Sequence, residues 1–134
     1  REALPLLLTL SSGVTGYMTI HAASARQALT RLRFICQLAE TASDVPLSAL
    51  NSLVAESIDV VVHCARDAEG PRVQSIVAVE DLAGGADATQ FTVTEVFRRD
   101  HEGELTWTGQ VPARLGGHLA EHGVEVTDLL GRSR

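Results

Sequence analysis

Residues 17–36 read Tyr17-Met-Thr-Ile-His-Ala-Ala-Ser-Ala-Arg-Gln-Ala-Leu-Thr-Arg-Leu-Arg-Phe-Ile-Cys36, a short apolar run followed by a marked helix start. Ser24 and Gln27 have the S-x-x-Q spacing of a capping box, in which each side chain satisfies the other's backbone N–H. Behind them apolar residues recur at i, i+3, i+4 and i+7, at Ala25, Ala28, Leu29, Leu32, Ile35, Cys36 and Ala39. The spacing predicts an amphipathic helix whose water-facing side carries Arg26, Thr30, Arg33 and Gln37.

The residues on the N-terminal side of this helix predict two further elements. Tyr17 to Ala22 is compact, largely apolar and bounded by Gly16, which favours a short buried strand. Glu2 to about Ser11 predicts a short apolar helix, in which Pro5 is tolerated only within the first turn. Gly13 and Gly16 break that helix before the strand.

The residues that follow predict a second helix and a buried strand. Thr41 to Pro46 is a polar turn, and Ser48 to Ser57 repeats the helical spacing of apolar residues. Ile58 to Ala65 is uniformly apolar, so we expect a strand inside a sheet that is covered on both faces. His63 and Cys64 are adjacent on this strand and point to opposite faces, which excludes a shared metal and favours the core.

The second half of the chain is rich in strands. Strand-like runs occupy Val73 to Glu80, Gln90 to Arg98 and Leu105 to Thr108, with turn signals at 67–71, 84–85 and 102–103. Gly116 to His122 predicts a short helix. Helices and strands alternate first and strands then run consecutively, which indicates an α/β fold with a mixed sheet, helices and terminal antiparallel hairpins. We expect one partial domain over residues 1–134, helix-rich over 1–57, strand-rich over 58–110 and with a terminal tail over 111–134.

Composition excludes several functions. The 134 residues carry 17 acidic and 11 basic side chains, a net charge of −6, and every basic residue is Arg. Without lysine, neither a GxxxxGK[ST] phosphate loop nor a Schiff base can form within these residues. An acidic chain with 4% aromatic residues lacks the positive field and stacking surfaces of a nucleic-acid binder.

Hydropathy and cysteine content bear on location. No apolar stretch approaches the roughly 20 residues of a membrane span, so membrane association would be peripheral. Cys36 and Cys64 lie in apolar patterns and do not form a dense disulfide framework, which indicates buried, reduced thiols in a cytoplasmic protein.

Two residues next to the capped helix are candidates for ligand chemistry. His21 follows the predicted strand and precedes the helix N-terminus, where α/β folds place ligand contacts and the helix dipole favours anions. The alternative is a hydrogen-bonded histidine at a strand end. Arg26 lies in the first turn, where a guanidinium reaches phosphate or carboxylate, although such an arginine also suits a solvated face.

Other polar residues are weaker candidates. His118 and His122 have the i, i+4 spacing that can hold zinc, but no third ligand is evident and Leu119 stands where a metalloprotease motif has glutamate. An exposed polar face is the favoured interpretation. The acidic residues of the turns indicate solubility rather than paired acids and bases; they are Asp67, Glu69, Glu80, Asp81 and Asp87.

The stretch Gly13-Val-Thr-Gly-Tyr-Met-Thr-Ile-His-Ala-Ala-Ser-Ala-Arg-Gln-Ala-Leu-Thr-Arg-Leu32 resembles the histidine box of the traffic ATPases of secretion and pilus assembly. The resemblance is strongest to type II/type IV secretion ATPases of the tight-adherence pilus and conjugation kind. Residues 1–4 are similar to the helix after the Walker B region and its E-x-R-G tail. Ser57 to His63 is similar to a later core strand, and Val73 to Val79 and Val96 to Asp100 to the closing hairpins.

This resemblance implies the C-terminal part of a RecA-like P-loop ATPase domain, without the phosphate loop, aspartate box and Walker B glutamate. It implies a cytoplasmic homo-hexamer, peripheral to the inner membrane and bound to inner-membrane platform proteins, that uses ATP and magnesium to drive protein export or pilus assembly. His21 would then be the catalytic residue near the γ-phosphate, with Thr19 and Arg26 contributing to the nucleotide pocket. The whole motor would be an ATP hydrolase, and this chain alone would be inactive.

Two alternatives belong to other classes of protein. One is a non-catalytic interaction module derived from the same family, which docks on a partner. The other is a small metal-binding protein that uses His118 and His122.

Overall fold

The computed structural model describes residues 2–39, 44–85 and 87–131, and its backbone forms two compact units. The first, here called the helical unit, contains the chain up to residue 59 together with residues 81–92. The second, the sheet unit, contains residues 60–80 and the chain from residue 93 onward. The coarse α/β prediction is confirmed, because the described residues form five helices and four strands.

The helical unit is built from α1 (Ala3–Ser11), α2 (Ala25–Gln37) and α3 (Leu47–Ser57), which pack against one another. The bounds of all three helices agree with the predictions to within a residue or two, and Pro5 lies in the first turn of α1. The largest fully buried side chains of the unit are Phe91, Leu7, Leu29, Leu50, Val54 and Cys36. Ser57 joins two helices, because its buried hydroxyl donates to the Leu7 carbonyl at 3.0 Å.

Helix α2 begins as the sequence predicts. Ser24 has an extended backbone, and its Oγ accepts a hydrogen bond from the Gln27 amide at 3.1 Å. Two side chains depart from the predicted pattern. Ile35 is 37% exposed, and Arg33, expected in water, is half-buried because it bonds to α3. In the predicted turn at 41–46, residues 41–43 lie outside the described residues.

The strand predicted over Tyr17 to Ala22 is wrong. Residues 14–22 belong to no helix or strand, and Tyr17 is 97% exposed. A strand needs a neighbouring strand to take up its backbone hydrogen bonds, and the strands of the described residues pair only among themselves.

The sheet unit contains β1 (Val60–Asp67), β2 (Gly70–Val79), β3 (Val93–Arg99) and β4 (Leu105–Trp107). Successive strands are neighbours and every pair is antiparallel, so the prediction of a mixed sheet is wrong for the described residues, whereas the terminal hairpins are confirmed. The predicted turns are confirmed as well. Gly84 and Gly85 have φ of +83° and +77°, and Gly103 has +85°, a region that favours glycine.

Strand β1 lies at an edge of the sheet and is not covered on both faces, which corrects the prediction for Ile58 to Ala65. Its residues alternate between exposed and half-buried, with Val60 40% and Val62 53% exposed. Cys64 is exposed and His63 half-buried, so the prediction that both belong to the core is wrong. The apolar run does not reveal its place in the sheet, because the order of strands is set by the connections and not by hydropathy.

Two helices complete the sheet unit, α4 (Ala113–Glu121) and α5 (Val126–Gly131). Helix α4 confirms the helix predicted at 116–122 but begins three residues earlier. Helix α5 was not predicted and lies within the stretch expected to be a tail. A small core joins Ala78 and Val96 of the sheet to Leu130 of α5. Among the helices of residues 2–39, 44–85 and 87–131, none has the length and apolar character to cross a bilayer.

Candidate functional site

The segment before α2 presents Thr19 and His21 to solvent. Exposure alternates along it, with Tyr17, Thr19 and His21 exposed and the intervening Met18 and Ile20 half-buried. The alternation expected of a strand is thus kept although no strand forms. Both predicted site residues, Thr19 and His21, are thus among the exposed residues of the segment.

Ser24, the N-cap of α2, lies three residues after His21. The first amides of a helix have no partner within it. Here the Gln27 amide donates to Ser24 Oγ and the Ala28 amide to the Ser24 carbonyl, both at 3.1 Å. The first turn holds no acidic side chain, so the positive end of the helix dipole is not neutralised locally.

Arg26 is engaged inside the helical unit. Its Nη1 donates a hydrogen bond of 2.6 Å to the backbone carbonyl of Phe91, 65 residues further along the chain. Phe91 itself is 2% exposed. A guanidinium carries five donor N–H groups, so this bond uses part of its capacity and also fixes its direction.

A second arginine contacts the same aromatic residue. Arg33 lies over the Phe91 ring, with its guanidinium carbon 5.5 Å from the ring centroid, and its Nη1 donates to Asn51 Oδ1 at 2.7 Å. Asn51 is 2% exposed, and its Nδ2 donates to the Ala88 carbonyl at 2.8 Å. Charged and polar groups buried in this way are stable only when hydrogen-bonded, and Asn51 meets that condition on both sides of its amide.

Thr19 and His21 precede the first turn of α2 and Arg26 lies in it, and the long-range contacts of this helix add Asn51 and Phe91, which no sequence pattern singled out. Phe91 carried a weak signal, as one of three phenylalanines. Asn51 carried none, because a polar residue within a helix is ordinarily interpreted as exposed.

Two histidines lie close together at the C-terminal end of α4, but they offer a metal ion only two ligands. The His118 and His122 ring centroids are 4.9 Å apart, and His122 Nδ1 lies 3.0 Å from the His118 carbonyl. Among the described residues no group of three or more histidine, cysteine, aspartate or glutamate side chains is arranged to hold a metal ion.

The acidic turn residues mostly have structural partners. Asp67 accepts a hydrogen bond from Arg72 Nε at 2.7 Å, and Glu69 accepts one from Arg72 Nη1 at 2.9 Å. The hydrogen bond from Arg72, followed by that from the Glu69 amide, lowers the pKa of Asp67, and the bond to Asp67 raises the pKa of Arg72. Glu80 accepts from the amides of Ala113 and Arg114 at the start of α4, at 3.1 and 3.2 Å.

Compared with protein-family models and with curated proteins, the chain matches none.

Proposed function

We propose that this chain is the C-terminal part of a RecA-like motor domain from a secretion or pilus-assembly ATPase. The observation that carries the proposal is the position of His21, an exposed imidazole three residues before a capped helix N-terminus that holds no acid. Such a terminus favours the negative charge of a phosphate. The histidine-box resemblance of residues 13–32 supplies the identity of that phosphate, the γ-phosphate of ATP.

The His21 imidazole and the backbone amides at the start of α2 are hydrogen-bond donors of the kind that phosphate oxygens accept. In the proposed motor, magnesium and the rest of ATP are held by segments outside this chain, and His21 stabilises charge at the γ-phosphate. Thr19 supports the segment that carries His21, and Arg26 is a second contact of the pocket.

The proposed motor is a cytoplasmic homo-hexamer at the inner membrane that acts on platform proteins of a pilus or secretion system. This proposal predicts the sequence upstream of residue 1. The gene should encode an E-x-R-G tail there and, further upstream, a GxxxxGK[ST] loop. A reading frame with neither motif would contradict the proposal.

The catalytic test is His21→Ala in the motor. ATP affinity should stay nearly unchanged because the phosphate loop dominates binding, while hydrolysis should slow by about 10²–10⁴-fold, typical of a lost proton-transfer or charge-stabilising group. His101→Ala, at an exposed histidine in the turn between β3 and β4, is the matched control. Unchanged hydrolysis by a folded His21→Ala protein would remove His21 from the mechanism.

The 134-residue chain alone should neither bind ATP tightly nor hydrolyse it. Phosphoryl transfer depends on positioning by a phosphate loop, its lysine and a metal, and the chain contains no lysine. Isothermal titration with Mg-ATP should show no micromolar binding. Micromolar affinity would count against the proposal.

A second candidate is a non-catalytic interaction module of the same origin. It is favoured by exposed apolar side chains four residues apart at the C-terminal end of α2, Phe34 at 57% in the helix and Leu38 at 68% just after it. The two functions make different predictions, because Phe34→Ser should abolish partner binding by a module while His21→Ala leaves it intact. If the chain is part of a motor, His21→Ala should instead reduce ATP hydrolysis.

A further inference from the structure

Side chains of α2 and α3 hold residues 87–92 in place within the helical unit. Three side-chain contacts, here called tethers, join this segment to the helices: the Asn51 amide bonds the Ala88 carbonyl, Arg26 bonds the Phe91 carbonyl, and Arg33 covers the Phe91 ring. Two further bonds, from the Ala88 amide to the Gly85 carbonyl and from the Ala83 amide to Thr92 Oγ1, both at 3.1 Å, join the segment to residues 83–85. Two of these tethers come from α2 and one from α3. The segment itself belongs to no helix or strand.

The three tethers form one connected network. Arg33 donates to the same Asn51 whose amide nitrogen holds Ala88, and the ring beneath Arg33 belongs to the residue whose carbonyl holds Arg26. Loss of any one contact therefore weakens the alignment of the others. Contacts that share partners in this way are coupled and not additive.

We propose that residues 87–92 form a strap that opens locally while the three helices stay packed, and that the closed strap holds one N–H of the exposed Arg26 side chain on the Phe91 carbonyl, so that a ligand at the start of α2 competes with the strap for that guanidinium. The proposal rests on the proposed function for the ligand and adds the regulation of that site. Segments without regular structure, held by few bonds, open with a lower free energy than the helices beneath them. The buried Phe91 ring must leave its place for opening, so the closed state predominates.

The chain carries its own reporters for the test. Cys36 is fully buried in α2 and reacts with a maleimide only when the helices separate, whereas Cys64 is exposed and reacts at once. Exchange of the Ala88 amide, which donates to the Gly85 carbonyl at 3.1 Å, reports on the strap and is called strap exchange below. The ratio of the strap exchange rate to the Cys36 labelling rate separates strap opening from unfolding of the helical unit.

Two variants remove different tethers. Asn51→Asp keeps the acceptor for Arg33 and loses the donor to Ala88, and Arg26→Met keeps the aliphatic stem and loses the guanidinium. Each should speed exchange in the strap by about five- to tenfold, the factor that corresponds to one hydrogen bond. Cys36 labelling should stay within twofold of the unmodified chain. Gln90→Ala, an exposed change within the strap, is the control and should alter neither rate.

Equal acceleration of strap exchange and Cys36 labelling in both variants would overturn the strap, because the tethers would then be ordinary packing. Strap exchange that stays unchanged in both variants would overturn it as well, because the tethers would then not hold the segment closed. Arg26 is on the exposed face of α2, so Arg26→Met keeps the test valid if Asn51→Asp does not fold.

Inorganic pyrophosphate separates this proposal from the proposed function. If Arg26 leaves Phe91 for a phosphate, pyrophosphate should speed strap exchange in the unmodified chain and have no effect in Arg26→Met, which supports both ideas. If the variants open the strap and pyrophosphate does nothing, the strap stands and the nucleotide role of Arg26 fails.

Discussion

The two cysteine thiols lie in opposite environments. Cys36 is 0% exposed and its pKa is raised by burial, whereas Cys64 is exposed on β1. Since the thiolate is the reactive form, burial slows the reaction of Cys36 in two ways: it keeps the reagent away, and it keeps more of the thiol protonated. We expect a thiol reagent to titrate one group quickly in the native chain and the second only on unfolding.

Single replacements assign the two phases. Cys64→Ser should remove the fast phase, and Cys36→Ala should leave it unchanged. Two thiols that react at the same rate in the native chain would show that Cys36 is not buried in solution.

The ion pair between Asp67 and Arg72 predicts a pH dependence. Because the pKa of Asp67 is lowered in the folded chain, its contribution to stability is fully present above the ordinary aspartate value of about 3.9. That contribution is lost as the pH falls through the lower folded value. Melting temperatures from pH 6 to 2.5 should therefore show Asp67→Asn below the unmodified chain near neutral pH, with the gap closing in acid.

The partner residue provides the control for this prediction. In an Arg72→Met background the hydrogen bond that does most to lower the pKa of Asp67 is gone. Asp67→Asn should then produce a much smaller gap. A gap of constant size at every pH, in either background, would assign the effect of Asp67→Asn to something other than ionisation.

Among the elements, α4 begins with a cap from a distant part of the chain. Pro112 precedes the helix and has no side-chain oxygen, and the Glu80 carboxylate, just past β2, accepts from the first amides instead. A lost cap costs about 0.5–2 kcal/mol, and the negative charge also suits the helix dipole. Glu80→Ala should lower the free energy of unfolding by about 1 kcal/mol in urea titrations, and Glu80→Gln by less.

Glu102→Ala, at an exposed acidic residue of the turn between β3 and β4, is the matched control for the cap. It should change stability by less than about 0.5 kcal/mol, as surface substitutions do. If the Glu80→Ala and Glu102→Ala proteins had the same free energy of unfolding, the Glu80 carboxylate would not act as a cap.

On the scale of the whole molecule, the open edge of β1 predicts self-association. Val60 and Val62 are partly exposed beside backbone groups that no described strand pairs, and such edges template pairing with another chain. Light scattering of the concentrated chain should give a mass above that of one copy. Val62→Lys should restore the monomer, because a charged edge residue opposes pairing.

Val14→Lys is the control for the edge, since Val14 is 54% exposed and Val62 53%, and Val14 lies outside any strand. It should leave the association unchanged. A clean monomer of the unmodified chain at high concentration would show that the edge is already protected.

Local patterns in the sequence were enough to predict much of this molecule. The capping box at Ser24 marks the start of α2, and the apolar spacing behind it identifies most of the buried face, because both depend on neighbours within one or two helical turns. The turns at Gly84 and Gly103 followed from residues that tolerate positive φ. Local signals singled out His21 and Arg26 as candidate site residues and the resemblance added Thr19, and their role as a site stays a prediction.

Strand order and long-range polar contacts were decided only by the tertiary structure. Hydropathy cannot tell a central strand from an edge strand, so β1 was expected to be covered, and an apolar run such as 17–22 forms no strand without a partner. The bond of Arg26 to Phe91 and the cap of α4 by Glu80 join residues 65 and at least 33 positions apart. Contacts of that separation depend on how the elements pack, and no spacing within a single element encodes them.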